Sequence, residues 1–257
     1  MPVAPAVVVS PHLDDAVLSA SMRLADGGAG VVTVFAGIPA IGTIPPVWDR
    51  LTGASDSVVR MRERLAEDDE ALARLGRVPT LRLDELDGQY RNDPPDPGWL
   101  GRRLTGCLAG AEEIWLPVAM GGNGDHAAVR DGALAAADAV PGATVYVYAD
   151  FPYITWAGGW PSWLTGAAPE PYLDVAVWVD AELRAAGFDP DLLEPVVRVL
   201  DGAEQERKRH AMEAYRTQLP ALGLGPRRLD TEPELLRYEL AWRLDRDWAA
   251  TQRPWPR

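Results

Sequence analysis

Residues 3–18 read VAPAVVVSPHLDDAVL: an apolar run ending in Val7-Val8-Val9, a polar turn Ser10-Pro11-His12-Leu13-Asp14-Asp15, and the start of a helical pattern. An unbroken β-branched run of this kind signals a strand buried on both faces, the habit of a parallel sheet. The same alternation continues downstream. Strands are expected at 3–10, 31–35, 80–83, 113–118 and 144–149, and helices at 15–26, 58–75, 99–109 and 125–140. In the segment 58–75, Val58, Met61, Leu65, Leu72 and Leu75 fall largely on one helical face, and Gly76 stops it. This order implies an α/β fold, a mostly parallel sheet with helices on both faces and right-handed connections. Ligands of such sheets bind beyond the carboxyl ends of the strands, near the point where strand order reverses. Chemistry is therefore expected in the loops after Ser10, Phe35, Leu83 and Val118.

The rest of the chain reads differently. Residues 38–56 carry Pro39, Pro45 and Pro46 and read as a loop. Residues 151–171 are rich in Trp, Pro and Gly and read as a loop or lid. Residues 172–180 alternate like a strand, and 203–218 and 232–245 look helical. No linker interrupts the sequence. A single domain over 1–257 is expected, with a core at 1–150 and lid and C-terminal additions at 151–257.

The chain has 257 residues, 47% of them hydrophobic, which suffices for a buried core. Its formal net charge of −13 repels nucleic acid and anionic membranes, so neither is expected as a partner. Cys107 is the one cysteine, which excludes an internal disulfide and a cysteine metal cluster. The first apolar run, Val7 to Val9, is too short for a signal peptide or a span, and a cytoplasmic protein is expected.

There are three histidines, and two of them follow strands. His12 sits in Ser10-Pro11-His12-Leu13-Asp14-Asp15 and His126 in Gly121-Gly122-Asn123-Gly124-Asp125-His126. Two imidazoles and a carboxylate suit zinc, and also ferrous iron. Hydrolysis of an unactivated amide needs a polarised carbonyl, a water that is nucleophilic near neutral pH and a proton for the leaving amine. The two segments supply His12, Asp15 and His126 as metal ligands, leaving Asp14 as the base. The competing reading makes Asp14-Asp15 a helix cap and each His a hydrogen-bonded loop residue. No glycine fingerprint, Walker motif or Gly-x-Ser-x-Gly elbow is present. His210, beside Lys208, reads as a surface residue, and Trp156, Trp160 and Trp163 read either as a sugar-stacking wall or as a packed lid.

At this point the residues resemble a known family. Pro11 to Ser19 resembles the N-terminal signature of the PIG-L (LmbE-like) deacetylases. Arg64, Glu67, Ala71, Leu75 and Gly76 match that family's R-x-x-E-x-x-x-A-x-x-x-L-G helix, and Leu86 to Arg91 resembles its aspartate loop. Gly121 to His126 is similar to the block ending in Asp-His. Tyr148 to Tyr153, Lys208 to Gln218 (with Thr217 where Ser is usual), and Glu239 with Trp242 resemble blocks of one bacterial branch. The resemblance implies a Rossmann-like fold and a mononuclear zinc site with His12, Asp15 and His126 as ligands and Asp14 as general base. It implies Arg64 and Asp87 as substrate-binding residues. The implied activity is hydrolysis of an N-acetyl amide on an amino sugar or small glycoside, releasing acetate and a free amine. The alternatives are an amidase acting on a non-acetyl amide, such as a thiol-sugar conjugate, and a catalytically weak ligand-binding homologue.

One position departs from the family. Asn123 stands where a His usually precedes the Asp-His pair by two residues. Asn donates a hydrogen bond but delivers no proton. Either Asp14 carries the proton from water to amine, with Asn123 as an oxyanion donor, or another group is the acid.

Overall fold

Val7, Val8 and Val9 are wholly buried, as a strand covered on both faces requires. The computed structural model describes residues 4–168, 172, 174–224 and 226–245, so residue 3 of the first expected strand and residues 169–171 of the expected lid lie outside the described residues. β1 (Ala6–Ser10) leads into α1 (Asp15–Ala25) and β2 (Ala29–Thr33). The expected loop after β2 contains a short helix, α2 (Val47–Leu51). Then come α3 (Ser57–Leu75), β3 (Thr80–Arg82), α4 (Pro97–Leu108), β4 (Glu113–Pro117), α5 (Gly124–Ala137) and β5 (Thr144–Tyr148). The remaining elements are α6 (Ser162–Thr165), α7 (Val175–Ala185), β6 (Glu194–Val199), α8 (Gly202–Met212), α9 (Pro226–Thr231) and β7 (Tyr238–Leu244).

The strands form one sheet ordered β3-β2-β1-β4-β5-β7-β6. β1 pairs in parallel with β2 and β4, and β3 and β5 extend the parallel run. The fold is thus the expected α/β, Rossmann-like kind, and the order reverses between β1 and β4. Both His segments emerge at that reversal. Helix ends follow local chemistry: Asp56 accepts from the Val58 and Val59 N–H groups at 2.8 and 3.0 Å, and Asp96 caps α4 through Gly98 N–H at 2.8 Å. α4 and α5 pack closely because of Gly132, where a Cβ would lie 2.9 Å from Pro97 O and from Leu100. No helix among the described residues is long and apolar enough to cross a membrane.

Two expectations fail after residue 150. Of the strand expected at 172–180, residue 173 lies outside the described residues and 174–180 are no strand: α7 begins at Val175, capped by Asp174, and buries Val175, Val179 and Leu183. Those positions are four apart, so the alternating valines hid a helical stripe. Residues 232–245 are not helical: a short 3-10 turn at Pro233–Leu236 precedes β7. β7 pairs antiparallel with β5 on one side and β6 on the other. Six of its seven residues are buried, so no alternation marked it as a strand. β6, an edge strand at 194–199, was not anticipated at all. The helix expected at 203–218 stops at Met212.

β7 also carries a buried charge that shapes α1. Glu239 accepts from Ser21 Oγ at 2.5 Å, from Met22 N–H at 3.1 Å and from Lys208 Nζ at 3.0 Å. Ala20 has non-helical angles (φ −139°, ψ 33°), and the kink turns the Met22 N–H toward this carboxylate. Lys208, 1% exposed, is its counter-ion. Lys208→Met is therefore expected to lower unfolding stability by about 3–5 kcal/mol, because an uncompensated buried carboxylate remains; a urea denaturation midpoint measures it.

Candidate metal centre

The turn after β1 is tied by its own side chains. Ser10 Oγ donates to His12 O at 2.6 Å and accepts from Ala16 N–H at 3.0 Å. His12 N–H donates to Asp15 Oδ2 at 2.7 Å. Asp14 stands at the N-cap position of α1, yet its carboxylate caps no helix N–H and lines a cavity instead. The reading of Asp14 as a helix cap therefore fails.

His126 rides the first turn of α5. Asn123 caps that helix, its Oδ1 accepting from Asp125 N–H at 2.9 Å. The preceding turn is held by Asp150 at the end of β5, whose Oδ2 accepts from the Ala119 and Met120 N–H groups at 2.8 and 3.0 Å. Gly121 (φ 78°) is required there: a Cβ would meet the Tyr153 ring at 2.8 Å. Asp150 Oδ1 also accepts from His126 Nδ1 at 2.6 Å. This bond fixes the ring tautomer and leaves Nε2 to face the site.

The His12 and His126 ring centroids are 5.2 Å apart. Asp15 Oδ2 lies 3.2 Å from His12 Nδ1 and 3.3 Å from His126 Nε2. One ligand atom from each of the three falls within 4.8 Å of the others. His126 Nε2 is buried and has no hydrogen-bond partner in the structure, a costly state that a cation between these groups would relieve. His12, Asp87 and Asp125 form a second possible set. Its carboxylates are already neutralised, Asp87 by Arg64 at 2.9 Å and Asp125 by Arg91, whereas the ion pairs of Asp15 are with the two imidazoles. The first set is thus the better cation site.

Electrostatics tell the same story. Burial opposes charge on His126, but Asp15 and Asp150 raise it to about 9. Burial likewise opposes charge on His12, and Asp87, Asp125 and Asp15 raise it well above the usual imidazole value. Burial works against an ionised Asp15, but His126 and His12 hold it well below the carboxylate range. Burial and the Asp15 charge push Asp14 up, against Arg64 and His12. The pocket is a nest of carboxylates calling for positive charge.

His12, Asp14, Asp15, Arg64, Asp87 and Asn123 line one cavity of about 280 Å³, with His126 buried against it. Two hollows of about 580 Å³ lie elsewhere, at the amino end of β5 and against α6, and neither contains a histidine. His210 is exposed on α8, as expected. Trp160 is buried between Phe151 and Tyr238, while Trp156 and Trp163 are 54% and 47% exposed; none of the three lines the cavity. The tryptophan that does line it is Trp48, in the stretch expected to be plain loop. Asp125 and Asp150 also went unassigned, although each stands where the carboxyl-edge rule points. Asp125 accepts from Gly88 N–H at 2.8 Å and lies 3.2 Å from His12 Nε2.

These features define an α/β protein with a His–Asp cluster able to hold a metal ion at the carboxyl edge of its sheet. Among solved structures the chain is similar to A40926 pseudoaglycone deacetylase, at 27% identity and a TM-score of 0.66 over 92% of this chain and 95% of that one. It is also similar to a triple mutant of a deacetylase of the teicoplanin biosynthetic pathway, at 26% identity and a TM-score of 0.66 over 93% and 96%. The zinc-inhibited form of teicoplanin deacetylase, at 23% identity and a TM-score of 0.67 over 93% and 97%, shares the fold. No protein-family model and no curated protein sequence matches the chain. The sequence blocks that resemble the PIG-L (LmbE-like) family thus lie in a chain that shares its fold, over nearly its whole length, with these deacetylases.

Proposed function

We propose that the chain is a deacetylase that hydrolyses the N-acetyl amide of an amino sugar or small glycoside, with zinc held by His12, Asp15 and His126. The observation that carries this is the buried Nε2 of His126, which makes no well-formed hydrogen bond and meets only Asp15, at 3.3 Å, with the Asp14 carboxylate on the same cavity. The likeness to two deacetylases above 25% identity supports the reaction class. An ion held by His12, Asp15 and His126 would supply Lewis acidity toward the amide carbonyl and toward water.

The chain's residues supply the rest. Asp14 takes a proton from the attacking water and returns it to the departing nitrogen. Arg64 and Asp87, paired on the cavity wall, hold sugar hydroxyls: the guanidinium donates and the carboxylate accepts. Asn123 has its Oδ1 committed to Asp125 N–H, and it lines the cavity beside Tyr153. Only its amide N–H is left to meet a developing oxyanion, so Asp14 is the group that carries the proton. The segments after residue 150 act with the core as one catalytic domain.

Acetate release from a panel of N-acetylglucosaminides, by protein carrying about one zinc per chain, tests the proposal. Acetate equimolar with new amine is expected. Release only of a larger acid from longer N-acyl substrates would move the activity to a non-acetyl amide. A zinc-loaded protein that binds these glycosides and releases no acid would be a ligand-binding homologue. Asp150→Asn is expected to weaken zinc binding by about 10- to 100-fold, because it loosens the His126 ring and the turn before it; competition with a chelator measures it.

A further inference from the structure

The Leu13 carbonyl, between His12 and Asp14 in the turn after β1, accepts from a side chain 202 residues away, the Tyr215 hydroxyl at 3.1 Å. The same hydroxyl lies 2.9 Å from Asp68 Oδ1. Tyr215 and Asp68 are each 1% exposed. A phenol carries one proton, so it does not donate fully to both. We propose that Asp68 and Tyr215 are positioning residues for this turn: protonated Asp68 donates to Tyr215 and Tyr215 ties Leu13, whereas ionised Asp68 draws the phenol proton to itself and frees the turn. The inference rests on the proposed roles of His12 and Asp14 and adds to them a proton-controlled tether.

The other carbonyls of the turn have donors that do not titrate. Pro11 O accepts from Phe35 N–H at 2.8 Å, His12 O from Ser10 Oγ at 2.6 Å and Asp14 O from Leu18 N–H at 2.9 Å. Leu13 is buried, so the loss of the phenol costs its carbonyl a bond that bulk water does not readily return. The segment after α8 is pinned to α3, because Thr217 donates to Glu67 through its N–H at 3.1 Å and its hydroxyl at 2.7 Å. Asp68 follows Glu67 on α3. Its Oδ2 accepts from Arg82 Nη2 at 2.5 Å and Nε at 3.2 Å, so a proton on this carboxyl belongs on Oδ1, facing Tyr215. Arg82 is shared with Asp69 at 2.7 Å. Besides Tyr215, the groups that act on Asp68 are Arg82 from β3 and Asp14 from the start of α1. Burial pushes the Asp68 carboxyl up to about 6, helped by Asp14 and opposed by Arg82 and Tyr215. Once ionised, it is a stronger acceptor than the Leu13 carbonyl.

Two variants freeze the two states. In Asp68→Asn the amide oxygen stays with Arg82, so the amide nitrogen donates to Tyr215 and the tether holds at every pH. Tyr215→Phe removes the tether at every pH. The zinc-loaded full chain is followed between mildly acidic and mildly basic pH by the carbon-13 signal of the Leu13 carbonyl and by kcat for methyl N-acetyl-β-glucosaminide. The wild-type signal is expected to move with a midpoint at about 6, from the position that Asp68→Asn keeps throughout to the one that Tyr215→Phe keeps. Ratios of kcat cancel titrations common to all three proteins. Wild type over Asp68→Asn should fall from about one to about one fifth as pH rises, and wild type over Tyr215→Phe from about five to about one, the worth of one buried hydrogen bond. A Leu13 signal that does not titrate, or a titration at this midpoint that survives in either variant, overturns the proposal. So do kcat ratios that ignore pH. If none of the three proteins releases acetate, the carbonyl signal alone decides the tether, and the deacetylase reading falls separately.

Discussion

His126→Ala protein should hold no stoichiometric zinc at concentrations that saturate the wild type, and its turnover should fall about a thousandfold or more. The metal loss follows from geometry. His126 Nε2 makes no hydrogen bond and faces Asp15 at 3.3 Å, and Asp150 pre-sets its ring at 2.6 Å. Without that imidazole, Asp15 and His12 remain as a two-ligand site. The activity loss follows from magnitude: a metal contributes several kcal/mol of charge stabilisation in such reactions, and about 4 kcal/mol corresponds to a thousandfold in rate. Metal analysis by mass spectrometry and acetate release read the two effects separately. Full zinc content in the variant would sink the ligand assignment. The substitution leaves a buried cavity, so a melting curve should accompany it.

Asp14→Asn should separate catalysis from metal binding. The variant is expected to keep its zinc and its affinity for substrate while kcat falls by about 10²- to 10⁴-fold, the usual contribution of a positioned proton acceptor. Asn has nearly the shape of Asp but accepts no proton. Asp14 makes no cap hydrogen bond to α1, so the exchange should cost the helix little. An unchanged kcat with full zinc would remove Asp14 from the mechanism and turn attention to Tyr153 and Asn123, which meet across the same cavity.

Much of this was legible in advance, and for physical reasons. β1, β2, β4 and β5 are short, largely apolar runs bounded by turns, and α3, α4 and α5 carry side-chain caps, so each could be read from a dozen residues. Two histidine-aspartate segments, each straight after a strand of a parallel sheet, had to share the carboxyl edge, because parallel strands all end on the same side. That sufficed to bring His12, Asp14, Asp15 and His126 together, with Arg64 and Asp87 nearby.

What escaped the sequence depends on partners far away along the chain. β7 is buried on both faces because β5 and β6 flank it, and a strand in that position shows no alternation for pattern reading to catch. α7 was misread because valines two apart satisfy a strand period as well as a helical one; packing of Val175, Val179 and Leu183 chose the helix. Asp150 reaches His126 across 24 residues, Trp48 reaches Gln218 across 170, and Glu239 meets Met22 across 217. No local signal encodes such pairs, since a carboxylate or an indole reads the same in a solvated loop as in a buried one. The residues set the strands, the helices and the chemistry available at one sheet edge. The folded chain set which carboxylate orients the imidazole, which lines the cavity without capping a helix, and which tryptophan reaches the cavity wall, because burial and hydrogen-bond satisfaction are properties of the assembled packing.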